Sequence, residues 1–261
     1  MMRLMTGDAA VTLAAQEAAD RTVEAGTARL FSASSEGSPI PQPGGMRFEG
    51  VVDFAQNRAD LFGSPVAEGM ITEGMADKIA GLPDMNPDMY ISVRLATERH
   101  RTIHDGAREF SCVDDQWIEW LGETGDGARR HIDPQWPLDA LFGANDDAVE
   151  VAHEPVRETD TVRCRLTLDL WRADERLPAG VTAPEGPLRR LREIPAEVWL
   201  DSSGRARRIA VAAHPSNATS APDSWIWNVT ELWDFGVAVT ITPPSPDQVR
   251  EIDPRSFGSS S

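Results

Sequence analysis

The chain has 261 residues, 41% of them apolar and 26% charged, and its 42 acids against 25 bases leave a net charge of −17. That apolar share is enough for a core and argues against global disorder. A field of that sign repels phosphate backbones and anionic bilayers, so nucleic acid is not an expected partner.

Taken in chain order, residues 8–26 read as a helix. Asp8 is placed to cap it, Val11, Ala14, Ala15, Ala18 and Ala19 recur at helical spacing, and Gly26 stops it. So shallow a stripe predicts a helix laid against a sheet. From residue 27 the texture changes to short strands. Phe48, Val52 and Phe54 share one parity while Glu49, Val51 and Asp53 share the other, the alternation of a half-buried strand. The Met-, Gly- and Pro-rich stretch 64–89 reads as a flap or a short helix. Residues 89–121 read as strands MYISVRL, HRTI, REFSCV and QWIEWL, with turns at Asp105-Gly106 and Asp114-Asp115.

Residues 137–144 predict a short helix, and VEVAHEPV and TVRCRLTLDLW the next pair of strands. In the second, Val162, Cys164, Leu166, Leu168 and Leu170 lie on one face, with Arg163, Arg165, Thr167 and Asp169 on the other. A helical turn is expected within 187–194. AEVWLD and RARRIAVAA flank the turn Ser202-Ser203-Gly204 as a hairpin. SWIWNVTELWDF is the last long strand. These elements predict a single α+β domain, residues 1–261, structured over about 8–253 with a disordered tail at 254–261. Its sheet is antiparallel, because strands do not alternate with long helices.

Catalytic signatures are missing. The sequence has no G-x-G-x-x-G after a strand, no P-loop, no G-x-S-x-G and no H-E-x-x-H. Catalytic, metal-binding and cofactor-binding residues are therefore all predicted as none. His100 and His104 fall on one face of a strand, with Glu98 and Asp105 nearby as candidate third metal ligands, but solvated polar residues at a sheet edge explain the cluster better. Cys112 and Cys164 are read as two buried free thiols, with a single disulfide as the alternative.

The tryptophans are more informative. Trp225, Trp227 and Trp233 share parity with Val229 and Phe235. Such a stripe is either sheet core or the wall of an apolar cavity on the concave side of a curved sheet. The candidate cavity-wall residues are Phe48, Val52, Phe54, Leu166, Leu168, Trp225, Trp227 and Trp233.

Three segments carry a family resemblance. MRFEGVVDFAQNRADLF resembles the early hairpin of the LolA/LppX-like lipoprotein superfamily. IPAEVWLDSSGRARRIAV resembles its late hairpin, and ELWDFGVAVTITPPSPDQV its closing element. DTVRCRLTLDL sits where that family has the strand before a helical excursion. Order and spacing together carry the likeness, which spans roughly residues 10–253. It implies a curved antiparallel half-barrel with an N-terminal helix and short helices packed on the concave face. It also implies a cavity for an apolar ligand and no catalytic residues. Segments 64–89 and 121–136 depart from the family pattern.

The function expected from these readings is non-enzymatic binding of a lipid or other apolar small molecule. The alternative is a protein-interaction or sensor domain of the same fold without a ligand. No apolar run has signal-peptide or membrane-spanning length, and no cysteine stands near the start for lipid attachment. As the sequence stands this predicts a cytoplasmic chain; a start further upstream would make it extracytoplasmic.

Overall fold

The period-two alternation that begins near residue 27 becomes, among the described residues, twelve strands. They are β1 (Thr27–Glu36), β2 (Arg47–Asp53), β3 (Arg58–Ser64), β4 (His100–Asp105), β5 (Arg108–Val113), β6 (Gln116–Trp120), β7 (Val149–Val156), β8 (Thr159–Asp169), β9 (Glu193–Leu200), β10 (Ala206–Ala213), β11 (Ile226–Trp233) and β12 (Val249–Ile252). The computed structural model describes residues 9–42, 46–64, 90–91, 94–95, 98–106, 108–120, 134–175, 192–213 and 225–252. All twelve strands belong to one sheet, in the order β12-β6-β5-β4-β3-β2-β1-β11-β10-β9-β8-β7. Every neighbouring pair is antiparallel except β12 and β6, which are parallel. The architecture is α+β: a curved, half-barrel sheet with helices on its concave face.

Among the described residues, helices run over α1 (Ala9–Val23), α2 (Trp136–Ala140) and α3 (Leu170–Asp174), with a 3-10 turn at Leu141–Gly143 after α2, and residues 90–91 and 94–95 are also helical. The buried face of α1 is Thr12, Ala15, Ala18, Ala19 and Thr22, all small, so its backbone lies close to its neighbours. Polar side chains pin it there. Thr12 Oγ1 donates to the Asn145 carbonyl (3.1 Å), Gln16 Nε2 donates to the Ala144 carbonyl (3.0 Å), and Thr22 Oγ1 accepts the Ala206 N–H (2.9 Å). Asp169 caps α3, its carboxylate accepting the N–H of Trp171 and of Arg172. Gly143 is required where the 3-10 turn meets this cap, since a Cβ would fall 2.3 Å from the Asp169 carbonyl oxygen. The principal contacts of the three helices and the turn are with one another and with β7–β10.

One face of the sheet is the helix side. Register places Leu166, Ala196, Val211 and their neighbours on it at one end, and Val52, Ala59 and Leu61 further along. The opposite, convex face carries a row of large and charged side chains. Arg163, Trp199, Arg208, Glu231, Phe31, Glu49, Phe62, Arg101, Cys112 and Trp117 are successive cross-strand partners from β8 to β6. Trp199 is fully buried, and its cover among the described residues comes from side chains of the sheet itself. The guanidinium groups of Arg163 and Arg208 stand 5.1 and 5.0 Å from its ring centroid, and its Nε1 donates to Glu154 (2.6 Å). Over β4–β6 the convex face is covered by the returning chain, with Val239, Ile241 and Val249 against Ile103, Phe110 and Trp117. That crossing delivers β12 parallel to β6.

Several sequence expectations are corrected. Tyr90, Ile91, Arg94 and Leu95 are helical, not the strand expected for MYISVRL. Arg94 bonds Glu98 and stacks on Tyr90, each four residues away, which is helical spacing. Glu193 and Ile194 begin β9 instead of ending a helix, because Ile194 continues the buried parity of Ala196 and Val198. The remainder of that expected turn lies outside the described residues, as do nearly all of 64–89 and the tail at 254–261. Both cysteines are free thiols, and Cys112 is only half-buried, since it lies on the convex face.

Candidate functional site

The concave face away from the principal contacts of α1 includes β1–β5. Three cross-strand rows define it. The first is Thr230, Ser32, Phe48, Gly63 and His100; the second is Leu232, Leu30, Gly50, Leu61, Thr102 and Ser111; the third is Ala28, Val52, Ala59, His104 and Glu109. The rows begin apolar or neutral and turn polar at β4. Phe48 meets the His100 ring edge-on at 6.0 Å between centroids. Thr102 is fully buried and its Oγ1 lies 3.4 Å from Ser111 Oγ, either oxygen serving as donor. His100 and His104 are each 7% exposed. Nδ1 of His100 is 3.0 Å from the Glu98 carbonyl. Burial lowers the His100 pKa below its ordinary value, so the ring is neutral at pH 7, with Nδ1–H donating to that carbonyl. Nε2 of His104 is buried and has no hydrogen-bond partner.

Of the residues singled out in the sequence, Phe48, Val52, Phe54, Leu166 and Leu168 come together in one buried cluster on the helix side. Leu166 and Leu168 lie at its β8 end, where α3 and the 3-10 turn also pack; Phe48 and Val52 lie on β2, away from the principal helix contacts. The tryptophan stripe is not with them. Leu232 faces the helices, so Trp227, Val229 and Trp233 face the convex side. Trp227 packs against Trp199, Ala210 and Val229. Trp233 lies beneath Arg157, whose guanidinium is 3.5 Å from the ring centroid. Trp225 precedes β11 and is partly exposed, its carbonyl accepting the Gly37 N–H (2.8 Å). Phe235 leaves the stripe as well. Asp234 at φ 49° breaks the alternation and turns Phe235 toward the helix-side core.

His100 and His104 are likewise not solvated edge residues. They are on β4, flanked by β3 and β5, and face the concavity. The signal was their shared parity with Thr102, whose row mates across β3 are apolar. Their acidic neighbours are engaged elsewhere: Asp105 takes Arg58 (2.7 Å) and Glu98 takes Arg94 (2.6 Å). Among the described residues, no group of three or more His, Cys, Asp or Glu side chains is arranged to hold a metal ion. An open groove of about 420 Å³ does exist where β7, β8 and the end of β9 meet. Glu154, Asp160 and Asp201 line it, and those carboxylates suit an apolar ligand badly.

With the strand order and the concave face defined, solved structures give a match. LprF from Mycobacterium bovis superposes with a TM-score of 0.51 at 12% identity, covering 92% of this chain and 99% of that one. The chain has the LolA/LppX-like lipoprotein fold. The Mycobacterium tuberculosis lipoprotein LppX gives 0.49 at 10% identity, covering 90% of this chain and 100% of that one. A LolA superfamily protein from Nitrosomonas europaea gives 0.27 at 13%, covering 89% and 95%. No family model matches the sequence, and neither does any curated protein. Among the described residues no helix is long and apolar enough to cross a membrane.

Proposed function

We propose that this chain binds a lipid or other apolar ligand, without catalysis, between the concave face of its sheet and the segments that face it. One observation carries the reading. Among the described residues, α1–α3 contact mainly β7–β10, whereas the buried apolar concave surface continues over β1–β3 with Leu30, Phe48, Val52, Ala59 and Leu61. The LolA/LppX-like fold, matched by LprF, supports the same reading. Sites for apolar ligands are lined by such side chains, with a few polar groups fixing orientation.

The test is titration of the delipidated chain with a fluorescent fatty acid. Saturable binding is expected, weakened several-fold by Phe48→Ala and unchanged by Trp227→Ala, because Trp227 faces the other side. Absence of saturable binding would leave a protein-interaction domain of the same fold. Equal weakening by both variants would mean that the concave face is not the site.

A further inference from the structure

The polar end of the concave rows has no structural role that accounts for it. A central strand of a sheet needs no imidazole or hydroxyl on its inner face, and burying an unpaired polar atom is unfavourable. Yet β4 places His100, Thr102 and His104 there at every second residue, and β5 adds Ser111 and Glu109 opposite Thr102 and His104. Neighbours on β3 are Ala59, Leu61 and Gly63, which offer no hydrogen bond from their side chains. Nε2 of His104 is enclosed and bonded to nothing. Thr102 and Ser111 share one long contact of 3.4 Å, which uses one of their two hydroxyl protons and leaves the other to be given. Residues two apart on a strand are separated by roughly 7 Å, so His104 and Thr102 span a group of three or four heavy atoms.

We propose that His104, Thr102 and Ser111 seat the uncharged, hydroxyl-bearing end of the amphiphile whose chain the concave face holds; the inference rests on the carrier reading above. A hydroxyl both donates and accepts, so it can pair with His104 Nε2 whether that nitrogen donates or accepts, and it meets the two β-strand hydroxyls as well. A carboxylate or phosphate fits worse. Glu109 stands on the same face in register with His104, the net charge of the chain is −17, and burial holds His100 neutral. A purely apolar end leaves the imidazole as it is now.

The experiment uses the full chain, stripped of lipid, and displacement of a bound fluorescent fatty acid by three competitors of equal chain length. They are 1-monopalmitoylglycerol, palmitate and methyl palmitate. Monopalmitoylglycerol is expected to bind roughly tenfold more tightly than methyl palmitate, the worth of about one recovered hydrogen bond, with palmitate no better than the methyl ester. His104→Phe and the isosteric Thr102→Val should each bring the first two to near parity while leaving methyl palmitate unchanged. Binding of all three without preference overturns this inference and leaves the carrier reading standing. So does a preference that survives both substitutions. Failure of all three to bind overturns the carrier reading, and this one with it.

Discussion

Glu197 shows what a single residue does on the convex side. Its side chain is 4% exposed and is held by Arg163 at 2.6 Å and Arg165 at 3.0 Å. Arg163 is itself mostly covered, whereas Arg165 is largely in solvent. Arg165→Ala is therefore expected to cost no more than about 1 kcal/mol. Leu166, one residue on, points into the helix-side core at 2% exposure. Leu166→Asp buries an unpaired carboxylate there, at several kcal/mol, and should abolish the folded baseline in urea denaturation. Equal midpoints for the two variants would mean that the faces of β8 have been exchanged. That alternation was readable in the sequence. The fate of Glu197 was not, because its partners sit 32 and 34 residues away on a strand whose register only the assembled sheet defines. His100 carries the pH dependence. Its pKa is lowered in the fold by burial, so below about pH 6.5 the unfolded chain takes up a proton that the folded chain refuses. Stability should fall as pH drops from 6.5 toward the folded pKa, and His100→Phe should flatten that slope in urea midpoints measured across the range.

At the scale of elements, the strands were legible and their faces only partly so. Period two gives two faces but does not say which is concave. On β8 one face is uniformly apolar and the choice is forced. On β11 both parities hold large side chains, and the aromatic parity went outside because arginines cover it. Arg157 lies over Trp233, and Arg163 and Arg208 lie over Trp199. Trp199→Ala should accordingly cost about 3–5 kcal/mol in equilibrium unfolding, as for a buried aromatic. A cost below about 1 kcal/mol would show that the arginine cover contributes nothing. The strand expected at MYISVRL failed for a similar reason. Its apolar residues fit either period over so short a run, and Ile91 and Leu95, four apart, packed against Val113, Ile118 and Ile252 as a helical pair. The inner-face histidines were visible as a pair but not as buried, because burial of β4 depends on β3 and β5 closing on both sides.

For the whole molecule, three hairpin-like motifs in the right order carried the fold, and the superposition on LprF over 92% of the chain agrees with them. The candidate site was half legible. Parity singled out Phe48, Val52 and Phe54 and the three tryptophans alike, but it does not say which face is concave, and Trp227 and Trp233 lie on the convex one. We expect one compact body with a radius of gyration of about 18 Å in solution scattering. The central claim is that the concave face holds an apolar ligand. Native mass spectrometry of the chain purified without detergent tests it most directly. The account predicts a fraction carrying lipid-sized adducts, lost on organic extraction and regained on incubation with lipid. A bare mass throughout, with no uptake from any lipid class, would contradict it.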